Sequence, residues 1–196
     1  MPLPWVGASC HPAVPVPPMI APSSPSPWPT WWKYLLPRPA RLGLALGAVV
    51  PDFALLDVTH QRTVRLANWR GKQPVVLAFT RIFAEGVYCP LCYPHLVALN
   101  AAYPSCRDAG TEVFLITSLN ARQGKAVVED LQLTLPLLCD PEGKSFRQYH
   151  TGQALGAPLP AQFVINAQGQ LRYGHWFSFL HPNADPEALL AAVEAL

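Results

Sequence analysis

Charge is scarce in this chain. Of 196 residues, 14 are Lys or Arg and 12 are Asp or Glu, for a formal net charge of +2. So even a balance lacks the basic surplus that binding to nucleic acid or acidic lipid draws on. Acid is missing altogether from residues 1–43, whose only charges are Lys33, Arg38 and Arg41. Long apolar runs are missing as well. Leu42 to Val50 is apolar, but it is far short of the ~20 residues of a membrane span, and Pro51 ends it. The start has no basic region followed by an unbroken apolar one, and it is poor in arginine, so neither a signal peptide nor a transit peptide is expected. A second Cys-x-x-Cys is also absent. The five cysteines form one close pair, Cys89 and Cys92, plus three isolated residues. That count gives no disulfide framework and fits a reducing compartment, here taken as the cytoplasm. Zinc normally takes four ligands, whereas Cys106, Cys139 and His95 are scattered rather than paired at ligand spacing.

What the chain has in excess is proline, and it is unevenly placed. Twelve of the 23 prolines fall in residues 1–43. Val14 to Pro29 alternates proline with small residues and serine, a composition that favours extended, solvated backbone over helix or sheet. The same segment holds Trp5, Trp28, Trp31 and Trp32, which are open to a docking role or to none; membrane contact by this tail is not expected. Met19 is an alternative start. The expected organisation is therefore a disordered Pro/Trp-rich extension over 1–43 and one domain over 44–196.

Within the domain, Val75 to Thr80 is a continuous apolar run, as a strand buried on both faces requires. Beyond it stand Tyr88-Cys89-Pro90-Leu91-Cys92, then Leu96, Leu99 and Tyr103 at helical spacing. The pattern reads as strand, short loop, and a cysteine pair at the mouth of a helix. Proline suits the first helical position because its missing N–H would be an orphan there. Cys89 is therefore expected at the N-cap, with the helix running from Pro90 to about Asp108 and a kink near Pro94. A helix N-terminus offers unpaired N–H groups and partial positive charge, which favour a thiolate. This matters because a free cysteine, titrating near pH ~8.5, is only about 3% thiolate at pH 7. Cys92 lies one turn on, on the same face and within disulfide reach. Cys89 is expected to attack and the deeper Cys92 to resolve.

The remaining elements follow from pattern. Pro51 to Asp57 and Thr63 to Leu66 read as a hairpin. Thr111 to Thr117 reads as a second buried strand, Asn120 to Leu131 as a helix, and Leu135 to Cys139 as a short strand. Ser145 to Tyr149 is a short helix. Ala161 to Asn166 and Leu171 to Phe177 form an antiparallel pair, and Asp185 and Pro186 open a last helix through Glu194. Strand–helix–strand units followed by a hairpin give an α/β mixed sheet flanked by helices, with the cysteines at the carboxyl end of a central strand.

This pattern resembles the thioredoxin fold. More narrowly, residues 44–196 resemble the redoxins that include alkyl hydroperoxide reductase C and thiol-specific antioxidant proteins (AhpC/TSA). The marks are Val50-Pro51-Asp52-Phe53, Gly71-Lys72-Gln73-Pro74-Val75-Val76, Cys89, Cys139-Asp140-Pro141-Glu142-Gly143 and Phe163-Val164-Ile165-Asn166. The resemblance places Cys89 as the peroxide-reactive cysteine. It departs at Ile82 and Gly86, where peroxiredoxins usually carry proline and threonine or serine. It also departs in having no arginine between Arg147 and Arg172. Arg81 could substitute as a thiolate stabiliser or simply pair with Glu85 at the surface. Glu85 could assist proton transfer or be an ordinary loop acid. Tyr88 to Cys92 also resembles the glutaredoxin dithiol, and Pro160 matches the cis-proline of thioredoxin-fold oxidoreductases.

The implied function is a thiol oxidoreductase that takes a peroxide or a disulfide protein as substrate and a reducing dithiol protein or glutathione as electron donor, without cofactor or metal. A redox-sensing or partner-binding module without turnover is the alternative. Lesser candidates are His95 as a proton relay or a partly exposed helix residue, and His175, Trp176, Phe177 and Phe179 as groove or core edge. Cys139 is expected to be a buried inert thiol, and Cys106, near a helix end, an isolated thiol or a third redox partner.

Overall fold

The computed structural model describes Tyr34, residues 36–84 and residues 86–196. The expectations for the residues before Tyr34, and for Glu85, lie outside the described residues.

Strands β1 (Ala54–Asp57) and β2 (Arg62–Arg65) form the expected hairpin, with Ala54 opposite Arg65. Its turn is built on Asp57, whose buried carboxylate accepts the N–H groups of Thr59 and His60 and pairs with Arg62 at 3.2 Å. A single 3-10 turn, Leu66–Trp69, leads into β3 (Val75–Phe79). Next comes a small hairpin, β4 (Ile82–Ala84) and β5 (Val87–Tyr88), where a loop was expected. Then follow α1 (Tyr93–Asp108), β6 (Glu112–Thr117), α2 (Ala121–Leu131), β7 (Leu137–Cys139) and α3 (Lys144–Gln148). A second small hairpin, β8 (Gln153–Ala154) and β9 (Ala157–Pro158), precedes β10 (Ala161–Ile165), β11 (Leu171–Trp176) and α4 (Pro186–Glu194).

Seven strands make one sheet in the order β11-β10-β3-β6-β7-β1-β2. β3, β6 and β7 run parallel, while β10 is antiparallel to β3, with Ala161 opposite Phe79. The first hairpin is no appendage: β1 pairs with β7, placing Leu56 opposite Cys139, and so forms one edge of the sheet. Side chains alternate along β3 between two cores. Val76 and Ala78 face Leu96, Leu99 and Tyr103 of α1, Val127 of α2 and Leu189 of α4. Val75, Leu77 and Phe79 face Phe146, Tyr149, Phe163 and Phe53. Each such large apolar side chain contributes about 1.5–3 kcal/mol on burial, so β3, buried along its whole length, is firmly anchored.

Two helix starts are as read. Asn120 caps α2 in a reciprocal box with Gln123, and Asp185 accepts the N–H of Glu187 at 3.0 Å. The start of α1 differs. Cys92, not Cys89, is its N-cap, and Pro90 to Cys92 form a turn. The reason is Pro94: without an N–H it leaves the Pro90 carbonyl without its helical donor, so the regular ladder begins one turn later. Pro94 therefore marks the entry to the helix rather than a kink inside it.

The folded unit also reaches back beyond the boundary expected at residue 43. Tyr34 is buried, Arg38 exchanges backbone hydrogen bonds with Gln153 at 2.8 and 2.7 Å, and Arg41 N–H donates to the His150 carbonyl at 3.1 Å. Among the described residues no helix is long and apolar enough to cross a membrane.

Candidate active site

The two cysteines lie just past the carboxyl end of β3, where open α/β sheets carry their ligands. β3 runs out at Phe79, Arg81 follows, and the β4–β5 hairpin returns the chain to Cys89. The turn of that hairpin contains Gly86 at φ +71°, a conformation side chains with a Cβ rarely adopt. Backbone geometry thus accounts for glycine at the position where a hydroxyl residue was expected.

The Cys89 carbonyl accepts the N–H groups of Cys92 at 3.0 Å and Tyr93 at 2.9 Å, folding the intervening residues into a tight turn. Both cysteines are free thiols and both are buried, Cys89 to 6% exposure and Cys92 to 3%. The Cys92 sulfur interacts with the Cys89 thiol, the backbone N–H of Arg81 and the Asn183 side chain. Burial, followed by the nearby Cys89 sulfur, pushes the Cys92 thiol up to about 12, against the smaller opposing pull of the Arg81 N–H and Asn183. Cys92 is therefore a protonated thiol at neutral pH. Of the two residues, Cys92 is the less exposed.

Arg81 is not a surface charge. It is 7% exposed, and its guanidinium lies within electrostatic reach of both sulfurs, each of which favours its charged form. Burial works the other way and is the larger effect, lowering its pKa. Nη2 donates to the carbonyls of Ala154, at the end of β8, and Leu155, in the turn that follows, the latter at 3.2 Å. The guanidinium carbon sits 4.7 Å from the Phe83 ring centroid, and Nε is buried with no partner. A charged group is thus clamped by two carbonyls beside the thiols, with its Nε donor unspent.

The other named residues divide. Pro160 directly precedes β10, one step beyond the Ala161–Phe79 pair, so it sits at the cysteine end of the sheet. Its peptide bond is trans, as are all peptide bonds among the described residues, which corrects the cis expectation. Tyr88 is tied by its hydroxyl to Asp130 and packs 5.5 Å from the Tyr93 ring, a bracing role for the turn. His95 is a partly exposed residue of α1, as expected, but its ring reaches inward. Its Nε2 is buried without a partner, and burial, with a lesser effect from His175, lowers its pKa to about 4. Cys139 is buried 19 residues beyond Asn120, whose carbonyl its thiol approaches at 3.7 Å, and burial pushes it up to about 12. Cys106 is only partly buried. Trp176 belongs to the core, donating Nε1 to the Tyr149 carbonyl at 3.1 Å, while Phe177 and Phe179 pair edge to face outside it.

Two residues that sequence reasoning missed complete the surroundings of Cys92. Gln162, 1% exposed, donates to Asn183 Oδ1 at 3.1 Å and accepts the Ala184 N–H at 2.7 Å. Asn183 in turn donates to the Leu91 carbonyl at 2.7 Å, inside the Cys-x-x-Cys turn. The available signal was Gln162 itself, the one polar residue in Ala161-Gln162-Phe163-Val164-Ile165, since a buried amide needs partners. Among the described residues no three His, Cys, Asp or Glu side chains converge as metal ligands would.

With this geometry in view, comparison with known proteins is decisive at the family level. The profile of the AhpC/TSA family matches residues 46–174, well over half of the chain. The chain belongs to the AhpC/TSA family. Among its relatives, chloroplastic peroxiredoxin Q of Triticum aestivum is 30% identical over 129 residues, covering 65% of this chain and 57% of that protein. Sporulation thiol-disulfide oxidoreductase A of Bacillus subtilis (strain 168) is 25% identical over 126 residues, covering 62% and 69%. The chain thus spans less than two thirds of the length of the wheat relative. Peroxidoxin BcpB of Mycobacterium tuberculosis superposes with TM-score 0.66 at 22% identity, over 78% of this chain and 98% of that one. Reduced 2-Cys peroxiredoxin of Plasmodium vivax superposes with TM-score 0.67 at 17% identity, over 76% and 94%. At such identities the likeness speaks to fold, and this AhpC/TSA chain has the thioredoxin fold.

Proposed function

We propose that the protein is a dithiol reductase in which Cys89 attacks and Cys92 resolves. The carrying observation is the asymmetry of the pair. One sulfur lies nearer the surface beside a clamped guanidinium, and the other is held protonated beneath it. With a peroxide, the Cys89 thiolate attacks one oxygen and the O–O bond breaks. The alcohol leaves after taking up a proton, and Cys89 becomes a sulfenic acid. The Cys92 sulfur then attacks the Cys89 sulfur, water leaves, and the Cys89–Cys92 disulfide forms. A dithiol protein or two glutathiones return the two electrons and two protons.

A small peroxide is favoured because Cys89 exposes so little of itself and because the unspent Arg81 Nε can donate to a peroxide oxygen. Disulfide exchange is the second reading, with the leaving group a thiolate instead of an alkoxide. Apolar side chains beside the pair favour it, since Leu91, inside the Cys-x-x-Cys turn, and Leu155, whose carbonyl meets Arg81, are exposed and offer contact to a bulkier substrate. Free buried thiols agree with work in a reducing compartment.

The test is a pair of second-order rate constants for the reduced protein, one with hydrogen peroxide and one with a disulfide-bonded protein. Faster peroxide consumption assigns peroxidase, and faster disulfide reduction assigns exchange. If neither turns over with a coupled dithiol reductant while Cys89 still titrates as a free thiol, the catalytic reading fails and a redox-sensing module takes its place.

A further inference from the structure

We propose that the cleft between residues 34–41 and the α3–β9 region binds a small, multiply charged oxyanion, and that Arg38, Arg41 and Arg147 hold it. This site goes beyond the redox reading and does not depend on it. The cleft has a volume of about 570 Å³, within the range of small-molecule sites. Its lining includes three arginines and His150 and contains no carboxylate. The ion pairs among the described residues engage Asp52 and Asp57 only, and none reaches this cleft.

Of the chain's own acids, Asp140 lies within electrostatic reach of Tyr34 at this cleft, but it is not part of the lining. Asp140 is buried and already accepts from Lys144 N, Ser145 N and Ser145 Oγ. Glu142 contributes only its backbone carbonyl, which takes Arg147 Nη1 at 2.6 Å. Residues 1–33 contain no acidic residue at all, so they cannot supply an internal counter-charge. No side-chain ion pair among the described residues engages these guanidinium groups, so they stay open to an anion from solution.

The cleft is also built to hold its cations in place. Backbone bonds from Arg38 to Gln153 and from Arg41 to His150 fix the two residues while leaving their guanidinium groups uncommitted. The His150 ring fills the space beside Gly43 that a Cβ would occupy, which sets its position. Tyr34 lines the same cleft, is 6% exposed, and has a buried hydroxyl with no hydrogen-bond partner. A buried hydroxyl left unpaired costs about 1–3 kcal/mol, so its retention here points to a ligand acceptor. Gly143 lies directly against that hydroxyl, where any larger residue would displace it. Phe146 supplies an apolar wall. Guanidinium forks match phosphate and carboxylate oxygens in pairs, which makes both ligand classes candidates by the same chemistry.

The experiment is calorimetric titration of the full chain at about 150 mM salt, where weak surface attraction is screened, with pyrophosphate, ATP and citrate as probes. Saturable one-to-one binding of at least one probe is expected. It should weaken about tenfold or more in the Arg38→Gln/Arg41→Gln double variant, whose fold is checked by circular dichroism and melting. If that variant does not fold, Arg147→Gln carries the same expectation. Preference for pyrophosphate or ATP assigns a phosphoryl ligand, and preference for citrate assigns a carboxylate one. Absence of saturable binding by any probe below about 1 mM, or equal affinity in a folded arginine variant, overturns the proposal.

Discussion

Alkylation of Cys92 offers the most direct check on the asymmetry of the pair. With its thiol pushed up to about 12, only about one Cys92 in 10⁴ is ionised at pH 8. A free cysteine titrating near 8.5 is about a quarter ionised there, a ratio of roughly 2,000. A more basic thiolate is a better nucleophile, and a Brønsted slope of about 0.45 over ~3.5 pH units restores some 40-fold. Ionisation alone therefore slows Cys92 by about 50-fold relative to free cysteine, and its burial slows it further. The assay is quenched-flow labelling of the reduced protein with iodoacetamide from pH 6 to 10. Fragment-ion mapping of the tryptic peptide Ile82–Arg107, which carries both sulfurs and Cys106, separates the sites. Cys89 should label first, while Cys92 rises about tenfold per pH unit without a plateau. Because burial outranks the Cys89 sulfur among the causes, the suppression should persist in Cys89→Ser. Labelling of Cys92 within tenfold of free cysteine at pH 8, or a plateau below pH ~9, would refute the reasoning.

Three further outcomes are expected. Arg81→Met should lower the rate of the Cys89 step by about tenfold or more, and Arg81→Lys should not restore it, because an ammonium holds its donors on one nitrogen and lacks the planar fork that bonds the two carbonyls through Nη2 while keeping a separate donor at Nε; stopped-flow consumption of peroxide reads both. Gly124→Ala should destabilise the fold by about 1–3 kcal/mol, since its Cβ would lie 2.5 Å from Cys139 Sγ and 3.2 Å from Val58, and Cys139→Ala in the same chain should recover part of the loss; denaturant unfolding measures the cycle. His95 is neutral in the folded state with its pKa lowered to about 4, against about 6.5 when unfolded, so its contribution is complete above pH ~6.5 and is lost as pH falls toward 4. Up to about 3 kcal/mol should go over that window, and His95→Gln should flatten the acid limb of the stability curve, as thermal melts from pH 7 to 4 would record.

The parts of this fold that could be read in advance are those written in local chemistry. β3 announces itself by five consecutive apolar residues, α2 and α4 by Asn120 and Asp185 ahead of their first turns, and the cysteine pair by its spacing. What escaped depends on contacts between distant segments. β4, β5, β8 and β9 are two or three residues long, too short for any period to show, yet the β8–β9 hairpin supplies both carbonyls that clamp Arg81. Arg81 could be read equally well as a surface charge, and only the carbonyls of residues 73 and 74 positions away decide otherwise. The start of α1 was misplaced because Pro90 is a good first helical residue taken alone, whereas Pro94 four residues on withholds the donor such a start would need. The first hairpin was recognised, but its pairing with β7 joins residues some 80 apart, and no local pattern encodes that.

Cys92 sits where peroxide has little access and where its own sulfur stays protonated. On the proposed chemistry this protects it from over-oxidation, since sulfinic and sulfonic acids form from exposed, ionised sulfur. Within the pair, irreversible damage then falls on Cys89, and only in the interval before ring closure. The working life of the protein, counted in cycles before it is spent, is set by how quickly the turn from Cys89 to Cys92 can bring the two sulfurs together.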